Sequence, residues 1–127
     1  MCCIIYKPQG VQMPSLNILD KIKRINHDGF GFAITNGVQS YRYRSMSYER
    51  FIAHLKKVKT DEECIIHMRY ATHGSKCLAN CHPFREDSIY FAHNGVLNIQ
   101  PIKDTTDSET AFKTILYPIL RLMVLIH

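Results

Sequence analysis

Cys2-Cys3-Ile4-Ile5-Tyr6-Lys7-Pro8, the stretch directly after Met1, reads as a buried strand over residues 2–6. The strand is stopped by a proline that cannot donate to a central ladder. Side chains alternate along a strand, so Cys2, Ile4 and Tyr6 share one face while Cys3 and Ile5 share the other. The two adjacent cysteines therefore cannot do the same job. A residue as small as Cys2 permits removal of Met1, after which thiol and free α-amine would sit on one residue. An α-amine with a pKa of about 7.7–8.0 can take the thiol proton near neutrality and return it to a leaving amine. The competing reading of Cys2 is a small apolar strand residue without chemistry.

Downstream of this strand, Ser15 is placed to cap a helix whose apolar face is Leu16, Leu19, Ile22 and Ile25. Residues 29–34 and 38–44 follow as strands, and Asn36-Gly37 between them predicts a type I′ hairpin turn. From Ser47, the positions Tyr48, Phe51, Ile52, Leu55 and Val58 form a second amphipathic stripe. Lys56, Lys57 and Lys59 fall near its C-terminal end, where the helix dipole favours cations. A strand over residues 64–70, a polar loop over 72–83 and a strand over 88–93 come next, the last ended by Asn94-Gly95. Thr106 or Asp107 caps a final helix, with Glu109 at capping-box spacing and Pro118 expected to bend or shorten it. This order predicts a layered α+β sandwich, a single domain over residues 1–127.

Composition narrows the function classes. With 46% hydrophobic and 21% charged residues, the 127-residue chain has the makings of a folded core. The net charge of +5 raises nucleic acid as a partner. However, Lys21, Lys23 and Arg24, then Arg42 and Arg44, then Lys56, Lys57 and Lys59 are interleaved with apolar positions, as on solvated faces. Neither nucleic acid nor a membrane is an expected partner. The apolar run 115–126 is interrupted by Pro118 and Arg121 and is short for a bilayer span. No secretory signal is visible, and five cysteines fit reduced thiols, so the expected location is cytoplasmic.

Three further clusters carry chemistry. In His67-Met68-Arg69-Tyr70-Ala71-Thr72-His73-Gly74 a strand gives way to a loop, a place where sites are built. Arg69 there offers a planar fork matched to a carboxylate, or alternatively a surface ion pair. Asp107 offers a carboxylate to a substrate ammonium, or simply caps its helix. Asn94 and Gly95 offer a side-chain amide and an N–H that can converge on an oxyanion, or a second hairpin turn like Asn36-Gly37.

Taken together, Met1-Cys2, Arg69-Tyr70-Ala71-Thr72-His73-Gly74, Asn80-Cys81-His82-Pro83-Phe84, His93-Asn94-Gly95 and Thr106-Asp107-Ser108-Glu109 occur in one order. That order resembles class II glutamine amidotransferases, particularly their small stand-alone bacterial and phage-encoded versions. Asn26-His27-Asp28-Gly29-Phe30-Gly31-Phe32 is similar to their asparagine-x-aspartate-glycine-x-glycine segment. The resemblance implies the four-layer αββα sandwich of N-terminal nucleophile hydrolases, with antiparallel sheets. It also implies roles: Cys2 as nucleophile, Asn94 and Gly95 as oxyanion hole, Arg69 and Asp107 as holders of the carboxylate and amine of glutamine, and Tyr70, Thr72 and His73 as pocket lining. The implied reaction forms a γ-glutamyl thioester as ammonia leaves, and water then releases glutamate. An ammonia-accepting enzyme or partner subunit would complete an amido transfer.

The sequence departs from that family at Cys3, where glycine is common, and at Tyr70, where many members have tryptophan. It also ends in an apolar segment where the family domain continues with further strands. A sandwich incomplete at the C-terminus is therefore expected, with an apolar edge left to the terminal helix, a partner subunit or a second copy in a homo-oligomer. Three rival readings stand beside this one. Cys77, Cys81, His82 and His73 suggest zinc, but the C-x3-C spacing is loose and lacks a second pair, so no metal or other cofactor is expected. Cys2 with His73 or His93 would make a Cys–His hydrolase. A truncated, non-catalytic relative would act as a protein-interaction module.

Overall fold

Two serines start the helices of the outer layer in the computed structural model, which describes residues 1–126, with side-chain surroundings through Met123. Ser15 Oγ accepts from Ile18 N at the head of α1 (Leu16–Lys23), and Ser47 Oγ accepts from Arg50 N at the head of α2 (Tyr48–Leu55). Each hydroxyl satisfies an N–H that has no partner inside its helix. Four strands, β1 (Cys3–Lys7), β2 (Phe30–Thr35), β3 (Ser40–Ser45) and β4 (Glu63–Met68), form an antiparallel sheet in the order β1-β4-β2-β3. Their register aligns Cys3 and Phe30 with Met68, and Ile5 and Phe32 with Ile66. One face therefore carries the core, in which Phe30, Phe32, Ile66 and Met68 pack with Leu19 of α1 and Phe51 and Leu55 of α2. Full burial of each such side chain contributes about 1.5–3 kcal/mol.

The opposite face of the sheet presents Ile4, Gly31 and His67, which are register neighbours. A loop with a 3₁₀ turn at Leu78–Asn80 crosses that face. Gly31 permits the crossing, because a Cβ at this position would strike the carbonyl oxygen of His82. Arg44 of β3 donates to Cys81 O at 2.9 Å and Arg42 to Pro83 O at 3.1 Å, tying the loop to the sheet. The hairpin of β5 (Phe84–Glu86) and β6 (Ile89–Phe91) continues from it as a second, two-stranded sheet. Tyr90 reaches the first sheet at Ser40 Oγ, 3.1 Å away, while its neighbour Phe91 stacks on Phe112 at 5.2 Å. Phe112 opens a π-helical segment (Phe112–Leu116) between α3 (Asp107–Ala111) and α4 (Tyr117–Ile126). The layers thus run helix, sheet, sheet, helix in an α+β fold with antiparallel sheets, as expected, and the second sheet holds two strands among the described residues.

Several local expectations are corrected. The turn between β2 and β3 is not type I′, which needs two successive positive φ angles; Gly37 has φ +88° and Asn36 and Val38 do not. Instead Asn36 Oδ1 accepts from Val38 N and Gln39 N, building a four-residue loop from a side chain. The second helix ends at Leu55, so Lys56 is its C-cap and Lys57 and Lys59 lie beyond it. Pro118 does not shorten the last helix, since it is the second residue of α4, directly after the π segment. Nor does α4 hide its own apolar residues, since Ile119, Leu120, Leu122 and Met123 remain exposed. No described helix is long and apolar enough to cross a membrane.

Candidate active site

Strand β1 begins one residue after Cys2, and β4 ends one residue before Arg69, so their antiparallel pairing sets these two positions side by side at one end of the sheet. The Cys2 thiol lies against the backbone of Tyr70, with Sγ 3.4 Å from both Tyr70 O and Tyr70 N. Beside it opens a small cleft of about 50 Å³. Of the residues singled out in the sequence, Cys2, Arg69, Tyr70, Thr72, His73, Gly95 and Asp107 all line this cleft. Asn94 does not line it but touches it from behind, its Nδ2 donating to Cys2 O at 2.9 Å. Gly95 follows with φ +113°, a conformation that side chains rarely adopt, so the backbone there depends on glycine.

Arg69 is only 4% exposed. Its guanidinium donates to Ser75 O at 2.8 Å and His73 O at 3.0 Å, holding the 73–75 loop against the cleft. An arginine has five N–H donors, so others remain for a substrate carboxylate. Asp107 is the first residue of α3 rather than its cap, a role taken by Thr106. The aspartate accepts Leu97 N at 2.6 Å and Ser108 N at 2.8 Å, fastening the loop after Asn94-Gly95 to the head of that helix. Thr72 and His73 meet through Oγ1 and Nδ1 at 3.3 Å.

The structure places further residues of the quoted motifs around the cleft. Asp28 is buried and accepts Ala71 N at 2.9 Å, with Lys76 Nζ 3.0 Å from its other oxygen. Burial would raise its carboxyl, but the Ala71 N–H, Lys76 and His27 outweigh burial and hold it below the ordinary carboxylate value. His67 and His82 stack at 4.1 Å under the cleft, 1% and 6% exposed. His67 Nε2, both His82 nitrogens and Asn94 Oδ1 are buried without hydrogen-bond partners. Burial pushes His67 down to about 4 and His82 down to about 2, so both rings are neutral. His93, whose Nδ1 is 3.1 Å from Ser108 Oγ, completes the cleft wall.

The residues of the zinc reading are not brought together. Cys81 Sγ turns toward Met46 Sδ and Cys77 O, and among the described residues no group of three or more His, Cys, Asp or Glu side chains is placed to hold a metal ion. The hydrogen bonds of Cys2 Sγ are to Tyr70, not to His73 or His93.

Comparison with known proteins bears on this arrangement. The family model described as "Glutamine amidotransferases class-II" matches residues 8–123. Glutamine–fructose-6-phosphate aminotransferases (isomerizing) are also similar to this chain. The enzyme of Bradyrhizobium diazoefficiens is 27% identical over 88% of this chain and 20% of its own length. That of Agrobacterium fabrum is 28% identical over 86% and 19%, and that of Acinetobacter baylyi 29% over 72% and 16%. The chain thus spans about a fifth or less of the length of these curated relatives. No solved structure matches it significantly. With the family model covering most of the sequence, and the layered antiparallel fold consistent with it, the chain belongs to the class II glutamine amidotransferases.

Proposed function

We propose that this chain hydrolyses the side-chain amide of glutamine through a thioester on Cys2, releasing ammonia and glutamate. The observation that carries the reading is the gathering of Cys2, Arg69, Thr72, His73, Gly95 and Asp107 around one cleft, with Asn94 bonded to the Cys2 carbonyl. In this reading Met1 is removed and the Cys2 α-amine takes the thiol proton. The sulfur attacks the amide carbon, and charge on the carbonyl oxygen is met by the second Asn94 N–H and the Gly95 N–H. The C–N bond then breaks, and ammonia leaves with the proton returned by the amine. Water attacks the thioester, the C–S bond breaks, and glutamate departs as the thiol is restored. Arg69 and Asp107 hold the α-carboxylate and α-amine, and Tyr70, Thr72 and His73 shape the pocket. All five cysteines are free thiols, in keeping with a reducing compartment such as the cytoplasm.

Intact-mass measurement before and after a glutamine-analogue electrophile tests this. The expected result is loss of Met1 and one adduct that Cys2→Ala abolishes. A chain that retains Met1, or gains no adduct dependent on Cys2, overturns it. The exposed apolar residues of α4 favour a second reading, a protein-interaction module without turnover, and the same negative result would promote it.

A further inference from the structure

The side-chain amide nitrogen of Asn26 donates to the carbonyl oxygen of Met1 at 2.6 Å. Asn26 is 6% exposed, and its own backbone N–H is fixed to Ile22 O at 2.9 Å just beyond α1. Two residues on, Asp28 N donates to Arg69 O and the Asp28 carboxylate accepts Ala71 N. The 26–28 segment is therefore clamped to the cleft wall, and its asparagine is held at the peptide joining Met1 to Cys2. That peptide's oxygen and the Cys2 nitrogen are separated by one planar carbonyl carbon, so the Asn26 amide lies within about 5 Å of the nitrogen. Asn94 meanwhile grips the carbonyl on the other side of Cys2. The nucleophilic residue is held at both ends of its backbone by asparagine side chains.

We propose that Asn26 is the positioning residue for the Cys2 α-amine once Met1 has been removed. The inference rests on the functional reading above and assigns a partner to its base. When Met1 leaves, the Asn26 amide loses its carbonyl partner and the former peptide nitrogen becomes an amine. An asparagine amide carries an acceptor as well as donors, and a half-turn presents Oδ1 to an amine N–H. With that N–H fixed, the nitrogen lone pair is turned toward Sγ. The thiol proton then passes to the amine, leaving thiolate and ammonium, and Oδ1 stabilises the ammonium until the proton goes to departing ammonia. Among the described residues, Asn26 is the side chain that hydrogen-bonds the backbone of Met1.

The test follows the α-amine directly. Full-length chains carrying Asn26→Ala or Asn26→Asp, each with Cys2→Ser to prevent S-acylation, are acetylated across a pH series and read by mass at the N-terminal peptide. A carboxylate beside the amine favours ammonium, so Asn26→Asp should raise the reactivity midpoint by about 1 pH unit. Asn26→Ala removes the acceptor and should lower the midpoint by about half a unit. With Cys2 intact, the acidic limb of kcat/KM for glutamine should move in the same two directions, while KM stays within about twofold. Midpoints that coincide with the parent chain, or that move together in one direction, overturn the role of Asn26. Should Asn26→Ala fail to fold, the near-isosteric Asn26→Asp alone decides by its upward shift or the lack of one. Acetylation requires no turnover, so a processed chain that does not hydrolyse glutamine overturns the functional reading separately. Retention of Met1 in the wild-type chain overturns both.

Discussion

Asn94 and Cys2, 92 residues apart in sequence, are joined by a hydrogen bond of 2.9 Å from the asparagine amide to the cysteine carbonyl. In the proposed reaction the second N–H of this amide meets the oxygen developing charge near Sγ. The amide's own oxygen is buried and unpartnered. Replacing Asn94 with alanine should reduce kcat for glutamine hydrolysis by about 10²–10³-fold, the range for loss of one oxyanion donor, with KM changed by less than about threefold. Steady-state kinetics checks this. A loss confined to KM would mean that Asn94 binds glutamine instead of its transition state.

Arg69 holds the 73–75 loop, and in the proposed reaction it also holds the substrate carboxylate. Two of its N–H groups hold the carbonyls of His73 and Ser75, and the side chain lines the cleft. Arg69→Ala should therefore raise KM for glutamine at least tenfold and also lower folding stability by about 1–3 kcal/mol, since the two carbonyls lose their donor. Arg69→Lys keeps the charge but not the planar fork, and should recover stability better than it recovers KM. Denaturant midpoints measured beside KM separate the two effects. A variant destabilised with unchanged KM would confine Arg69 to holding the loop.

The parts of this site legible in the sequence are those whose chemistry is local. Cys2 stands out by its place behind Met1, Arg69 by its position where a strand gives way to a loop, and Thr106 by its capping-box spacing; the first two line one cleft and the third caps α3. Alternation along residues 64–68 also tells which face His67 shares. It does not tell what covers that face, because the answer depends on a loop 10 to 16 residues later folding back across β2. The stacked His67–His82 pair and the Asn26–Met1 contact are consequences of that layering and of the end of α1, so the motifs that contain these residues do not show the contacts. The three-residue strand β5 is too short to show a period of two, and the Asn36-Gly37 dipeptide signals a turn without fixing its type.

The crossing of that loop depends on the absence of a side chain at Gly31. A methyl group there would meet the backbone carbonyl of His82, which Arg44 and Arg42 hold from either side through Cys81 O and Pro83 O. Backbone pinned in this way cannot give as a flexible side chain does. Gly31→Ala should cost about 1–3 kcal/mol, the usual penalty for overpacking, and should displace His82 from the cleft wall. Thermal denaturation reads the first effect, and a fall in kcat/KM beyond the loss of folded protein reads the second. An unchanged thermal midpoint would show that the loop does not lie on β2 in solution.

The buried histidine pair makes stability depend on pH in a direction its environment dictates. Burial depresses His67 to about 4 and His82 to about 2, against an ordinary histidine value of about 6.5 in the unfolded chain. Above about pH 6.5 both states hold the rings neutral and the pair makes no pH-dependent contribution. Between 6.5 and 4 the unfolded chain binds protons that the folded chain refuses, so stability falls as pH falls. Each such site contributes a slope of about 1.4 kcal/mol per pH unit over most of that interval. His82→Phe keeps a ring stacked between His67 and Phe84 but removes one proton-binding site. Urea denaturation from pH 7 to 4.5 should therefore show a wild-type slope steeper than that of His82→Phe by about 1.4 kcal/mol per pH unit in the lower half of the range. Parallel slopes would mean that His82 takes up its proton in the folded chain, and the cleft floor would then carry positive charge beside Arg69.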